Sequence, residues 1–168
     1  MKIVGIDAGS GVKSATGIAV LSTTDFGIDT FGIWPDNRKA KANERLRSLS
    51  VVFKSIINRI DCDNGLSSVV FESFAMRAKS GETLQRLIGA YMSDVPIGAE
   101  IKEVANTKIK QYSGGTGKAD KEAVAAGVIS WFKGKNSHSV NYVNQLIKNE
   151  LWDEVDAVAI AISGYLES

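Results

Sequence analysis

The spacing of apolar positions changes character along the chain. Over roughly the first 35 residues they come in short runs: Lys2 to Asp7 and Thr16 to Leu21 are rich in Ile, Val and Leu, and Phe26 to Trp34 alternates. Such runs, punctuated by Gly9, Gly11 and Asp25, predict three strands, and their short connections predict an antiparallel meander. From Asn37 the period lengthens. Leu46, Leu49, Phe53, Ile56 and Ile60 fall at three- and four-residue steps with Arg and Lys between them, which predicts a long amphipathic helix from Asn37 to Ile60 with its apolar stripe in the core.

Ser67 to Glu72 is a compact apolar strand that ends on a carboxylate, and a helix follows from about Gly81 with Leu84, Leu87, Ile88 and Tyr91 on one face. Ile97 to Val104 predicts a further strand and Asn106 to Tyr112 a short polar helix or loop. Gly114 to Gly117 is a glycine-rich, flexible connection into a helix from Lys118 to Phe132. The polar stretch around His138 reads as a surface loop. Val155 to Leu166 is the last helix, opened by acids that suit the positive end of its dipole. This order describes a single α/β domain over residues 1–168 built on a mixed sheet.

Composition removes several classes of function. The chain has 168 residues, one Cys and one His, so an intramolecular disulfide, a cysteine zinc cage and the His-pair metalloprotease patterns are all excluded. A reducing, cytoplasmic setting is expected. No apolar run approaches the roughly 20 residues that cross a bilayer, and the first residues lack the pattern of a signal peptide. The formal charge of +1, from 20 Lys+Arg against 19 Asp+Glu, argues against nucleic-acid binding by bulk charge.

Position changes that picture. Asp7 and Glu72 each end a strand, and Asp153 and Asp156 stand three apart at the start of the last helix, on one face of its first turn. Carboxylates brought together repel unless they are protonated or bridged by a cation, so this set asks for a hard divalent metal with oxygen ligands. Between Ile101 and Lys148 there are eight lysines and three acids, a balance of 8 − 3 = +5, whereas Asn149 to Ser168 carries five acids and no Lys or Arg. A positive surface beside clustered acids fits a metal-dependent enzyme acting on a polyanion. Lys118 and Lys121, behind the glycine loop, are the first candidates for phosphate contact. Gly117-Lys118 is not a nucleotide phosphate loop, because Tyr112 and Ala119 occupy positions where that motif needs Gly and Ser or Thr.

Five segments resemble, in order, the RuvC family of Holliday junction resolvases: Ile3–Gly9, Thr16–Leu21, Val69–Phe74, Ile109–Lys121 and Asp153–Ile162. The resemblance implies a ribonuclease H-like fold, with a mixed five-stranded sheet (three antiparallel strands, then two parallel) flanked by helices. It implies a homodimer, for which the long helix from Asn37 to Ile60 is the expected source of much of the interface, and two Mg²⁺ ions per active site, for which Mn²⁺ would substitute. It places catalytic and metal-ligating roles on Asp7, Glu72, Asp153 and Asp156, and gives no ligand role to Glu154. Lys121 joins the catalytic set, and DNA contacts are expected from Lys110, Lys118 and Lys121, with Phe74 and Arg77 just beyond the fourth strand. Phe74 either stacks on a base or packs in the core; the family's aromatic falls one position later, where this chain has Ala75.

The implied activity is paired symmetric nicking of four-way DNA junctions, leaving 5′-phosphate and 3′-hydroxyl ends, by a phage-type member acting in the cytoplasm. A broader endonuclease for flaps and forks shares the same chemistry. An actin-like or sugar-kinase-like ATP-binding module is the alternative of another class, since Ile6 to Ser10 resembles its first phosphate loop, but such folds need two domains of this size.

Overall fold

The computed structural model describes residues 1–62, 65–73 and 79–168, so that Phe74 and Arg77 lie outside the described residues. Five strands, β1 (Lys2–Asp7), β2 (Thr16–Ser22), β3 (Ile28–Ile33), β4 (Leu66–Ser73) and β5 (Glu100–Ala105), form one sheet in the order β3-β2-β1-β4-β5. The first three are antiparallel; β4 and β5 run parallel to β1. Among the described residues six helices accompany them: α1 (Ala42–Cys62) after β3, α2 (Lys79–Ser93) between β4 and β5, and α3 (Asn106–Gly114), α4 (Lys121–Phe132), α5 (Ser137–Lys148) and α6 (Trp152–Leu166) after β5. Among the described residues no helix is long and apolar enough to cross a membrane.

Both faces of the sheet are covered, and the period-two alternation of the strands sorts residues between them. Ile3, Leu21, Val70 and Val104 pack against α3 to α6, whereas Val4, Ile6, Ile18 and Phe71 pack against Leu49, Phe53 and Ile57 of α1 and Leu87 and Tyr91 of α2. The stacked rings of Phe53 and Tyr91, 4.1 Å between centroids, join the two helices. The outward side of α1 is polar, carrying Arg47, Lys54, Asn58 and Arg59, with Val51 as its exposed large apolar residue.

Helix α6 lies directly on β1 and β2, and glycines make that approach possible. A β-carbon at Gly5 would sit 2.2 Å from the carbonyl oxygen of Ala157, and one at Gly17 would sit 2.0 Å from that of Asp153. Close contact at Gly17 is what brings the first turn of α6 down beside the end of β1. Gly5→Ala is expected to cost about 3 kcal/mol of stability or more in urea unfolding, because the obstacle is helix backbone and cannot rotate aside. A midpoint unchanged from wild type would show that α6 can shift freely.

Several boundaries differ from the sequence reading. Helix α1 starts at Ala42 rather than Asn37, because Asn37 makes a turn: its side chain accepts from the Lys39 N–H and its carbonyl from the Ala40 N–H. The Glu44 carboxylate then accepts from the Lys41 N–H, marking the helix start. Strand β3 begins at Ile28, after a turn with Phe26 at φ 56°, and β5 begins at Glu100. Helix α4 starts at Lys121, capped by Asp120, whose side chain accepts from the Ala123 N–H. The stretch around His138 is the first turn of α5, capped by Asn136, and not a loop. Its polar opening concealed Val140, Val143, Leu146 and Ile147, which pack into the core at helical spacing.

Candidate active site

Parallel pairing of β1 and β4 decides where the first two acids meet. Ile6 pairs with Phe71, so the next residues, Asp7 and Glu72, emerge side by side at the same sheet edge. Asp7 also pairs with Gly17, the residue on which the start of α6 rests. Asp153 and Asp156 are thereby carried to the same edge.

The proximity has electrostatic consequences. The Asp7 carboxyl is pushed up to about 8, first by burial and then by the charges of Asp156, Asp153 and Glu72, with Lys121 pulling the other way. Asp156 is also raised, by burial most of all; Lys121 and Lys110 oppose the shift, while Asp153 and Glu72 add to it. Three of the four acids have a local partner. The Asp153 Oδ2 accepts from the Ala15 N–H at 2.8 Å, Glu72 Oε1 accepts from the Asn106 side-chain amide, and Asp156 Oδ2 lies 3.8 Å from Lys121 Nζ. Among the described residues no hydrogen bond or ion pair reaches the Asp7 carboxylate, and no three of these groups are already closed into a metal cage.

The acids open on a cavity of about 420 Å³ whose walls include Asp7, Glu72, Asp156, Asn106, Lys110 and Lys121. Asp153 is not among its walls; its carboxylate is held by the β1–β2 connection through Ala15. Lys118 is exposed and outside these walls, and so is His138. Glu154 is buried on the far side of α6, its Oε1 where a side chain on Gly32 would stand, and burial raises its carboxyl. The donor set suits a hard divalent cation. All four ligand candidates are carboxylates, no Cys or His among the described residues lines the cavity, and a cation would offset both the burial and the neighbouring negative charges that raise Asp7.

Sequence reading missed Asn106. It is the first residue after β5, which adjoins β4 in parallel, so its position at a strand end was the available signal. The lysine-rich count also overstated the free charge. Lys108 pairs with Glu167 at 2.8 Å and Lys102 with Glu100 at 3.4 Å, so neither is simply available to a ligand.

A mixed sheet of three antiparallel strands followed by two parallel ones, with α6 laid across β1 and β2, defines a ribonuclease H-like fold. No family model matches the chain, and no curated protein sequence does. Solved structures do match: RuvC from Thermus thermophilus is 21% identical, with 97% of this chain and 92% of that chain covered at a TM-score of 0.62. RuvC from the same organism in complex with Holliday junction substrate gives 20% identity, the same coverage and a TM-score of 0.63. The chain has a RuvC-like fold.

Proposed function

We propose that this protein is a metal-dependent, structure-selective DNA endonuclease that resolves Holliday junctions by paired nicks. The observation that carries the reading is the convergence of four carboxylates at one sheet edge of a RuvC-like fold, one of them pushed up to about 8, three of which share a cavity with Lys110 and Lys121. A fold neighbour that holds Holliday junction substrate supports the choice of DNA.

In this reading Asp7, Glu72, Asp153 and Asp156 hold two Mg²⁺ ions, or Mn²⁺ in their place. Bound there, the metal supplies Lewis acidity for activating water and for stabilising a leaving 3′ oxygen, giving 5′-phosphate and 3′-hydroxyl ends. The protein's own groups do the rest. Asn106 fixes the direction of Glu72, and the Ala15 N–H fixes Asp153. Lys121 is loosely paired with Asp156 and 60% exposed, so it is placed to share its charge with a phosphate oxygen; Lys110 approaches from α3. Lys118 contributes from outside the cavity. A four-way junction has two-fold symmetry, so a homodimer would present two such sites to opposing strands. The cytoplasm, of a host cell for a phage-encoded enzyme, is the setting that fits a DNA substrate.

Lys121→Ala is expected to slow cleavage about 10²-fold, by loss of one group placed at the reacting phosphate, and to lower the salt slope of junction binding by about 1. An unchanged slope and rate would remove Lys121 from the site. The whole reading is tested by comparing Mg²⁺-dependent cutting of a synthetic four-way junction, a flap and a linear duplex. The junction is expected to be cut at least about 10²-fold faster than the duplex, a preference on the order of 3 kcal/mol. Equal rates on flap and junction would widen the substrate class, and equal rates on all three would contradict structure selection.

A further inference from the structure

The lysines of α3 and α4 flank only one side of the acidic cavity. On the other side, the connection from β3 into α1 carries Arg38, Lys39, Lys41, Arg45 and Arg47 against Asp36 and Glu44, a balance of 5 − 2 = +3 over residues 36–47. The topology puts this segment at the edge where Asp7 and Glu72 emerge. Asp7 pairs with Gly17 and Gly17 with Gly32, so β3 runs in the same direction as β1 and delivers its last residue to that edge. The two connections also touch, since a β-carbon on Gly11, four residues after Asp7, would meet the Pro35 ring at 2.3 Å. Strand order then sets the scale: β3 and β5 each lie two strand spacings from β1, about 10 Å on either side of Asp7.

The charges are also presented rather than neutralised. The Arg38 guanidinium lies 3.5 Å from the centroid of the Trp34 ring, which holds it flat while the residue stays exposed. Arg45 donates to the Ala40 carbonyl, bracing the turn that carries Lys39 and Lys41, and its Nε is buried with no hydrogen-bond partner among the described residues. Glu44, the nearest acid in the helix, is turned to the Lys41 backbone N–H. Among the described residues none of the five cations has a carboxylate within 4.0 Å.

We infer that Arg38, Lys39 and Lys41 form a second phosphate-binding surface, which grips the DNA backbone on the β3 side of the cavity while Lys110 and Lys121 grip it on the β5 side. The inference rests on the DNA-endonuclease reading and deepens it. A surface of this kind, set apart from the acids, contributes to affinity rather than to the chemical step.

The test is binding of a fluorescein-labelled four-way junction over a series of salt concentrations, with EDTA present so that nothing is cut. For the Arg38→Gln/Lys39→Gln/Lys41→Gln triple variant the slope of log K against log salt is expected to fall by about 2 to 3, and affinity near 0.1 M salt by about 10- to 100-fold. Its melting temperature and its cleavage rate at saturating junction should stay close to wild type. A Lys54→Gln/Arg59→Gln variant, farther along α1, should keep the wild-type slope. A triple variant with the wild-type slope would overturn the inference while leaving the nuclease reading intact. So would an equal loss per charge in the control, which would mean diffuse attraction. Wild-type protein that binds no DNA would remove the nuclease reading, and this surface with it.

Discussion

Asp7→Asn is expected to reduce junction cleavage by at least about 10³-fold while leaving junction binding within a few-fold of wild type. The amide keeps the size of the carboxyl group and removes its charge, and on the proposed function the loss of that metal-holding oxygen forfeits several kcal/mol of transition-state stabilisation. The same change should raise the melting temperature of the metal-free protein. Asp7 is placed among three other carboxylates and desolvated by burial, so its ionised form opposes folding near neutral pH when no cation is present. A catalytic loss together with a gain in stability is the signature of a charge maintained for function. Lower stability and lower activity together would point instead to a packing role. The readouts are single-turnover cleavage, fluorescence anisotropy with labelled junction, and thermal unfolding in EDTA.

The second large effect concerns metal and pH. Asp7 in the folded, metal-free chain ionises at about 8 against an ordinary value of 3.8, so the folded state retains a proton that the unfolded state has lost. Its contribution is fully present below pH 3.8 and is lost as pH rises through about 8. In EDTA, stability should accordingly fall between pH 5 and pH 8.5 by more than in the Asp7→Asn variant. Asp156 is raised in the same direction and adds to the trend. Millimolar Mg²⁺ should reverse it, raising the melting temperature most at high pH, since bound metal stabilises the folded state by mass action and competes with protons for these oxygens. Differential scanning fluorimetry over a grid of pH and Mg²⁺ concentration reads this directly. A metal response that is the same in wild type and Asp7→Asn would place the ion elsewhere.

Much of the fold was legible because its signals are local. The strand runs of β1, β2 and β4 and the stripe of α1 are set by side-chain period, and the three-residue spacing of Asp153 and Asp156 fixes their shared face without any tertiary information. Helix α5 was hidden because its first turn, with Ser137, His138 and Ser139, is polar and its apolar residues come late. The site divides the same way. An acid at a strand end is visible in the sequence, but the Asn106 partner of Glu72 depends on β5 lying next to β4. The pairing of Lys108 with Glu167 joins residues 59 apart, so no local count could discount that lysine. The segment carrying Arg38, Lys39 and Lys41 comes to the acid edge only once β3 is known to run in the same direction as β1. Their charge was diluted in a chain total of +1.

The central claim is that the acids at this sheet edge make one of two coordinated cuts in a branched DNA. It is tested most directly by mapping the products of a movable four-way junction, each strand labelled in turn, after incubation with the wild-type protein and Mg²⁺. The account predicts nicks at matching positions in two opposing strands, and linear products that DNA ligase seals without prior treatment of their ends. Nicks scattered over all four strands, products that ligase cannot seal, or cutting that persists undiminished in EDTA would contradict it.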